Sequence, residues 1–385
     1  MIDEKRIFNN IKEFSFPRLS GTGFEKKAFN IAKNKIEELN LEPKKQDFSF
    51  SIFYSRIYPK VALTILSWLV LVLYLNFNLI FNIVNLSIIF ILILILIVYT
   101  RNPEKIKFGH EYHSQNLFVK ISSQAKNESS NYNFFLLSHL DSKGQSFSIK
   151  IRIQLYFIWI ITFSLGLVIT TLNSFFLRED YLILNMFSIF IICFNYLAII
   201  ILWINRTNNR SKGVIDDASG ISCVLELLNY YSNPENTLKK CNLWFVFTGA
   251  EESGTMGVRN FYKNIKNFDR DNTFIINFDS IAKNINLWDH GLLNNKYFKS
   301  FNYILENKDI MTLEKKTYRF YIGTYSDGLF LLNKRFSGLG NGDRSIYNYV
   351  HSKFDDLDKI EISVLKKLCR FYTILLNEVD NNLKN

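Results

Sequence analysis

Long uncharged stretches interrupt an otherwise mixed pattern of apolar and polar residues along the chain. Residues 61–100 contain no charged side chain and are broken only by an asparagine-containing stretch at residues 76–82. A helix needs about 20 apolar residues to cross a bilayer, so this length suffices for two crossings. The pattern therefore predicts a first transmembrane hairpin over residues 61–100.

Residues 153–204 repeat this pattern. Two apolar stretches, residues 153–177 and 181–204, are separated by the charged residues Arg178, Glu179 and Asp180. The same argument from length predicts a second transmembrane hairpin here. The chain is thus expected to cross a membrane four times.

Globular patterning fills the remaining residues, which are 1–60, 101–152 and 205–385. The runs NFFLLSHLDS, WFVFTGAEE and TFIINFDSIA are apolar and bounded by turn residues, which is typical of strands covered on both faces. The helical pattern FEKKAFNIAKNKIEEL carries Phe24, Ala28, Ile31 and Ile36 on roughly one face, and a last helix is expected over about residues 359–376. The pattern predicts one α/β domain into which the two hairpins are inserted.

Two adjacent acids mark the end of one predicted strand. Residues 243–248 are followed by a tight turn at Gly249 and Ala250 and then by Glu251 and Glu252. Open α/β sheets bind ligands at the carboxyl ends of their strands. Two carboxylates at such a point require a cation between them or a proton on one of them. The alternative is a solvated acidic turn that precedes a helix.

Five segments each place a metal-binding side chain at a strand end or in a loop. The candidate ligands are His139, Asp216, Glu252, Asp279 and His351. Two imidazoles and three carboxylates suit zinc, and also cobalt or manganese. If Asp216 bridges two ions, His139 and Asp279 complete one site, and Glu252 and His351 complete the other. A pair of ions roughly 3.5–4 Å apart can hold one hydrolytic water between them.

Further acids lie beside these candidate ligands. A carboxylate within hydrogen-bond reach of that water is suited to act as general base, which is the role expected for Glu251. Asp141, two residues after His139, can orient the imidazole. Asp217 is alternatively a helix cap, because aspartate is favoured at that position.

The motifs resemble a known family when they are taken in order. The series H-x-D, D-x-A-S-G, G-A-E-E-x-G, N-x-D and H-x-x-x-D, with SGTG near the N-terminus, is similar to that of the co-catalytic di-zinc exopeptidases. This family includes bacterial leucyl aminopeptidase, glutamate carboxypeptidase II and glutaminyl cyclase. The resemblance implies a mixed β-sheet sandwiched by helices and two Zn²⁺ held by His139, Asp216, Glu252, Asp279 and His351. It also implies that Glu251 is the catalytic base.

One segment departs from the family pattern. The sequence YSDGLF, which begins at Tyr325, looks like the S-D-H-x-x-F segment of the family, but Gly328 stands where histidine is usual. This difference puts substrate contacts from the segment in doubt. A tyrosine nearby, Tyr325 or Tyr321, is expected to polarise the scissile carbonyl.

The distribution of charged residues and the spacing of the cysteines predict on which side of the membrane the globular part lies. The net charge is +11, but no block of like charges indicates nucleic-acid binding. Basic residues flank the ends of the hairpins that join the globular segments, as the residues Lys60, Arg101, Lys105, Lys107, Lys150, Arg152, Arg206, Arg210 and Lys212 illustrate. The positive-inside rule then places the globular part in the cytoplasm, which agrees with four cysteines that lack a disulfide or zinc-knuckle spacing.

These observations predict a membrane-anchored zinc aminopeptidase that acts on peptides, some of them associated with the lipid bilayer. A carboxypeptidase or dipeptidase of the same family stays open, because the residues that select the end of the peptide lie in variable loops. A glutaminyl cyclase would bind one zinc, and a non-enzymatic membrane scaffold would predict lost ligands. A transporter is disfavoured because the predicted spans contain almost no ionisable residues.

Overall fold

The computed structural model describes residues 1–124, 132–175, 182–291, 299 and 325–383. The chain forms two compact units. The first comprises residues 1–50, 112–144 and 208–385, and the second comprises residues 51–111 and 145–207. The charged turn predicted at residues 178–180 lies outside the described residues.

A seven-stranded mixed sheet forms the centre of the first unit, in the order β1-β2-β6-β3-β7-β9-β8. Its strands are β1 (Lys44–Ser51), β2 (Glu111–Ile121), β3 (Tyr132–His139), β6 (Cys241–Thr248), β7 (Thr273–Phe278), β8 (Asn286–His290) and β9 (Ser337–Gly342). A separate two-stranded sheet pairs β4 (Gly144–Gln145) with β5 (Thr207–Asn208). Strands β6, β3, β7 and β9 run parallel, so their carboxyl ends share one edge. Strands β2 and β8 run antiparallel to their neighbours β6 and β9.

Ten α-helices are found in the described residues. They are α1 (Glu4–Phe14), α2 (Gly23–Glu37), α3 (Tyr58–Leu75), α4 (Leu79–Thr100), α5 (Ile149–Phe175), α6 (Leu182–Ile204), α7 (Ser219–Tyr231), α8 (Met256–Ile265), α9 (Asp327–Asn333) and α10 (Ile362–Asn382). Helices α1, α2, α7 and α10 pack on one face of the large sheet, and α8 and α9 pack on the other.

Alternation along β3 explains how the sheet is covered on both faces. Phe134 and Leu136 belong to the core beneath α7, whereas Phe135 and Leu137 belong to the core beneath α8. Successive side chains of a strand point to opposite faces, so an unbroken apolar run fills both layers. The predicted mixed sheet between helices is confirmed.

The second unit contains the four apolar helices that the hydrophobic pattern predicts. Each of α3 to α6 is long and apolar enough to cross a membrane. The turn between α3 and α4 is formed by residues 76–78, in which Asn76 adopts a left-handed conformation. The side chain of Asn78 accepts a hydrogen bond from the backbone N–H of Phe81 at 2.8 Å and so caps α4.

The structure differs from the sequence-based expectation at two places in the first unit. Phe24 is 55% exposed, and its neighbour Glu25 is buried instead, because the Glu25 carboxylate has partners on other segments. The last helix extends beyond residue 376, because Val379 and Asp380 are also buried. Asp380 accepts hydrogen bonds from backbone amides at the start of β6.

Candidate metal centre

The shared edge of the parallel strands brings three of the candidate segments together. His139 is the last residue of β3, Asp279 directly follows β7, and Glu251 and Glu252 follow β6 after a two-residue turn. His139 and Thr248 are register partners in neighbouring strands, so the segments that follow them begin side by side. This arrangement places the candidate ligands where parallel α/β sheets bind their ligands.

Two loops complete the candidate set. Asp216 precedes α7, and the peptide bond that joins it to Asp217 is cis. The Asp217 carboxylate accepts hydrogen bonds from the backbone N–H groups of Gly220 at 3.0 Å and His139 at 3.1 Å. Asp217 therefore joins the first turn of α7 to the end of β3. His351 lies in the loop between β9 and α10.

The five candidate ligands form two groups that share Asp216. His139, Asp216 and Asp279 form one group, and Asp216, Glu252 and His351 form the other, with ligand atoms within 4.8 Å of one another in each. His139 Nε2 lies 2.9 Å from Asp216 Oδ1, and His351 Nε2 lies 3.1 Å from Asp216 Oδ2. The two carboxylate oxygens of Asp216 therefore face two different imidazoles.

The charges in these groups perturb one another. Burial works against the ionised form of Asp216, but the hydrogen bonds with the two imidazoles outweigh it and lower its pKa. Burial and the charge of Asp216 raise the pKa of Asp279 to about 6. Burial likewise favours neutral His139, but its hydrogen bonds with Asp141 and Asp216 raise the pKa well above the usual value.

Glu251 is buried beside the two groups. Burial raises the pKa of its carboxyl group well above the usual value, and the neighbouring charge of Glu252 adds to this effect. The positive charge of protonated His139 acts in the opposite direction. A carboxylate in such a place can accept a proton near neutral pH.

The donor set fits a divalent cation. Several buried carboxylates converge here, and burying that much negative charge is costly without a compensating cation. The Oε1 atom of Glu252 is buried and lies 2.8 Å from His351 Nε2, so a carboxylate oxygen and an imidazole nitrogen of the second group face one another. Imidazole nitrogens and carboxylate oxygens at these positions are the ligand types that zinc takes.

Asp141 lies beside the imidazole of His139. Its Oδ1 atom is 3.4 Å from His139 Nδ1, and its backbone oxygen is 3.1 Å from the same nitrogen. The hydroxyl of Ser20 also donates to the Asp141 carboxylate, at 2.5 Å. Asp141 thus links the first histidine to the N-terminal loop.

Two basic residues at the centre were not foreseen from the sequence. The ammonium of Lys143 lies 2.5 Å from Glu252 Oε2 and, with His351, opposes the effect of burial, so that the pKa of Glu252 is lowered to about 2. The guanidinium of Arg18 is fully buried and donates to backbone carbonyls, among them those of Leu140 at 2.9 Å and Gly213 at 3.0 Å. Arg18 thereby joins the loops that carry His139 and Asp216. The only sequence signal for Lys143 is its position directly after the S-H-L-D-S segment.

Of the two tyrosines predicted to polarise the scissile carbonyl, the structure describes Tyr325. Tyr325 is 45% exposed, and its hydroxyl accepts a hydrogen bond from Arg259 at 3.3 Å. Tyr321 lies outside the described residues. A role for Tyr325 in catalysis stays a prediction. Gly328 packs against His290, since a side chain at position 328 would begin 2.5 Å from that imidazole.

Comparison with known proteins finds a family match to part of the chain. Residues 199–373 match the family model described as Peptidase family M28. No curated protein matches the chain. The match contains four of the motifs that carry the resemblance, from D-x-A-S-G to H-x-x-x-D.

Solved structures of several peptidases and of a cyclase have a similar fold. BSAP, a zinc aminopeptidase from Bacillus subtilis, has a TM-score of 0.58 at 12% identity and covers 100% of this chain and 97% of its own. The aminopeptidase from Aneurinibacillus sp. strain AM-1 has a TM-score of 0.56 at 12% identity, covering 97% and 93%. The glutaminyl cyclase from Fimbriiglobus ruber has a TM-score of 0.54 at 10% identity, covering 98% and 95%. At these identities the similarity concerns the fold.

Proposed function

We propose that this chain is a membrane-anchored zinc aminopeptidase, since residues 199–373 match the model of Peptidase family M28. The observation that carries the proposal is the position of Asp216 between two imidazoles, with one carboxylate oxygen directed to each. The proposed zinc ligands are His139, Asp216, Glu252, Asp279 and His351. Two sites that share Asp216 fit two ions, which are zinc by family and alternatively cobalt or manganese.

Bound zinc would supply Lewis acidity to the scissile carbonyl and lower the pKa of water. The protein's own groups perform the proton transfers. The Glu251 carboxylate takes a proton from the attacking water and delivers it to the leaving amine. Burial of Glu251 raises the pKa of its carboxyl group. The proton affinity of the carboxylate is thereby closer to those of the water and the amine between which it moves the proton. Asp141 and Lys143 keep His139 and Glu252 in place.

The proposed anchor consists of α3 to α6, with predicted hairpins at residues 61–100 and 153–204. Lys60 donates hydrogen bonds to the backbone oxygens of Trp203 at 3.2 Å and Asn205 at 2.9 Å. Tryptophan and lysine are frequent at the boundary between membrane and water. The catalytic segments, residues 1–60, 101–152 and 205–385, would then face the cytoplasm, because the basic residues flank the ends that join them.

Detergent-purified protein and peptides with free or blocked ends provide the test. Products would be followed by mass spectrometry for the wild type, for Glu251→Gln and after removal of metal by a chelator. The matched control is Glu226→Gln, a buried carboxylate that pairs with Arg6 at 2.6 Å. We expect stepwise loss from free N-termini that Glu251→Gln and the chelator abolish and Glu226→Gln preserves.

Other outcomes would replace parts of the proposal. Loss from C-termini would keep the chemistry and change the specificity to that of a carboxypeptidase. Cyclisation of N-terminal glutamine with one bound zinc would indicate a glutaminyl cyclase. Absence of both cleavage and bound metal would favour a scaffold.

We further propose that the substrates are peptides at or released from the membrane. The second hairpin separates His139 from Asp216 in the sequence, so the loops that hold both ligands lead directly into it. Comparison of a lipid-associated peptide with a soluble peptide of the same N-terminal sequence tests this point. Equal turnover of the two peptides would contradict it.

A further inference from the structure

The turn that carries Glu251 is held by side chains from distant parts of the chain. Residues 249–252, here called the acidic turn, have four consecutive backbone N–H groups that each donate to a side chain. Gly249 donates to Asn116 Oδ1 at 3.1 Å, and Ala250 donates to Glu25 Oε1 at 2.8 Å. Glu251 and Glu252 donate to the two carboxylate oxygens of Asp141, at 3.0 Å and 3.1 Å.

Glu25 is a buried carboxylate that serves this turn. Only 4% of the residue is exposed, and burial raises the pKa of its carboxyl group to about 8. Beyond Ala250, its partners are the backbone N–H of Gly21 at 2.6 Å and the hydroxyl of Ser114 at 2.7 Å. A buried carboxylate is costly unless it is fully hydrogen-bonded. Its position at the back of the acidic turn therefore indicates a specific role.

Asn116 on β2 holds both sides of the acidic turn. Its Oδ1 atom accepts from Gly249, and its Nδ2 atom donates to the backbone oxygen of Gly257 in α8 at 2.9 Å. The contact is close, because a side chain at position 257 would begin 2.2 Å from the oxygen of Gly249. One amide group thus fixes the end of β6 against the start of α8.

The backbone of the acidic turn needs this support. Ala250 has φ of 50°, in the left-handed region that residues with a side chain seldom adopt. Such a conformation is strained and persists only where its surroundings hold it. Ala250 directly precedes Glu251, so a change in its conformation would redirect both acidic side chains.

We propose that Glu25 and Asn116 are positioning residues that fix the directions in which Glu251 and Glu252 leave the acidic turn. The inference rests on the proposed function, in which Glu251 is the base and Glu252 a zinc ligand. Neither residue lies in a motif of the family resemblance. Both act through backbone amides and do not contact the substrate.

The variants Glu25→Gln and Asn116→Leu test the proposal. Glutamine at position 25 has one acceptor oxygen, so its amide group must face the N–H of either Gly21 or Ala250. The matched control is Asp380→Asn at the other end of β6. The Asp380 carboxylate is also buried and accepts backbone hydrogen bonds from Lys239, Lys240 and Cys241 at 2.7, 2.8 and 2.9 Å.

Three quantities would be measured on the full-length protein: kcat and KM for a peptide, bound zinc, and amide hydrogen exchange. For Glu25→Gln and Asn116→Leu we expect faster exchange at residues 249–252 and kcat lower by about 10- to 100-fold, since small displacements of a reacting group are costly. KM and bound zinc should stay within about twofold of the wild type. Asp380→Asn should accelerate exchange only near residues 239–241 and preserve kcat.

Two results would overturn the proposal. One is faster exchange in the acidic turn with unchanged kcat, and the other is an equal loss of kcat in Asp380→Asn at equal thermal stability. A wild type that cleaves no peptide would refute the proposed function. The absorption spectrum of the Co²⁺-loaded protein would then test whether Glu25 positions Glu252. An altered spectrum in Glu25→Gln would support positioning of Glu252, and an identical spectrum would contradict it.

Discussion

The two compact units bury polar side chains in opposite ways. At the edge of the large sheet the buried groups are ionisable, and carboxylates outnumber the cations around them. In the helical unit the buried polar groups are uncharged: Trp159 Nε1 donates to Ser67 Oγ at 2.9 Å, and Asn195 Nδ2 donates to Thr162 Oγ1 at 3.0 Å. Ser67 in turn donates to the side-chain oxygen of Asn195.

This difference indicates which of the two units requires a bound cation. The network of Ser67, Trp159, Thr162 and Asn195 closes on itself and joins α3, α5 and α6 without any added group. The carboxylates at the sheet edge do not balance one another in this way, because buried like charges repel and favour a bound cation. The first unit is therefore expected to respond to metal, and the second is not.

Removal of metal should have the largest effect and should be confined to the first unit. We expect complete loss of hydrolysis and a fall in Tm of roughly 10 °C, because saturating ligand adds about 4 kcal/mol and each kcal/mol shifts Tm by about 2–4 °C in a domain of this size. Zinc should restore both. Calorimetry with and without a chelator measures the change, and hydrogen exchange shows where it occurs. An equal loss of amide protection in α3 to α6 would contradict the expectation that only the first unit responds to metal.

Glu251→Gln should have the next largest effect. Loss of the general base is expected to lower kcat by about 10²- to 10⁴-fold. Bound zinc and Tm should change little, because glutamine has nearly the same shape as glutamate. Steady-state kinetics and metal analysis of the purified variant check this expectation. A parallel loss of zinc would make Glu251 a ligand, contrary to the assignment.

Lys143→Met should weaken metal binding to a smaller degree. The variant removes the partner of Glu252 Oε2, and loss of a group that orients a ligand typically costs 10–100-fold in metal affinity. The matched control is Lys212→Met, because Lys212 forms a solvent-exposed pair with Asp356 at 2.5 Å, and such pairs contribute little. Zinc titration by calorimetry compares the two variants. Equal affinities would show that Glu252 is held without Lys143.

Asn195→Leu should have the smallest effect and act only on the helical unit. Hydrogen bonds between membrane helices contribute about 0.6 kcal/mol on average and at most about 1.7 kcal/mol. We expect a loss of this size in detergent unfolding experiments, with kcat and zinc content unchanged. A fall in zinc affinity would show that the units are energetically coupled and would weaken the comparison.

The elements of the fold were predictable where a local pattern determines them. The apolar runs that become β3, β6 and β7, and the lengths of the four apolar helices, follow from hydrophobicity alone. The five candidate ligands were predicted from residue type and from position at strand ends or in loops. The structure brings them into two groups that share Asp216, and their role as ligands stays a prediction.

Glu25, Asn116 and Arg18 could not be found in this way. Each is defined by partners that are distant in sequence: Glu25 binds Ala250, 225 positions away, and Arg18 binds Gly213, 195 positions away. Glu25 directly follows Phe24, which the helical pattern places on the apolar face. Glu25 itself is therefore expected at the surface, because charged residues are rarely buried. Only the folded structure shows that backbone N–H groups and a hydroxyl donate hydrogen bonds to this carboxylate.

The chain leaves and re-enters the first unit at neighbouring points. The rings of Phe50 and Tyr112, on either side of residues 51–111, stack with centroids 5.8 Å apart. Gly144 and Asn208, on either side of residues 145–207, are also in contact, since a side chain at position 144 would begin 2.2 Å from Asn208 Oδ1. The two helical segments form one unit and would have to be replaced together, and the entropy of closing a short replacement linker is modest. We expect that two such linkers would yield a truncated enzyme suited to crystallisation without detergent.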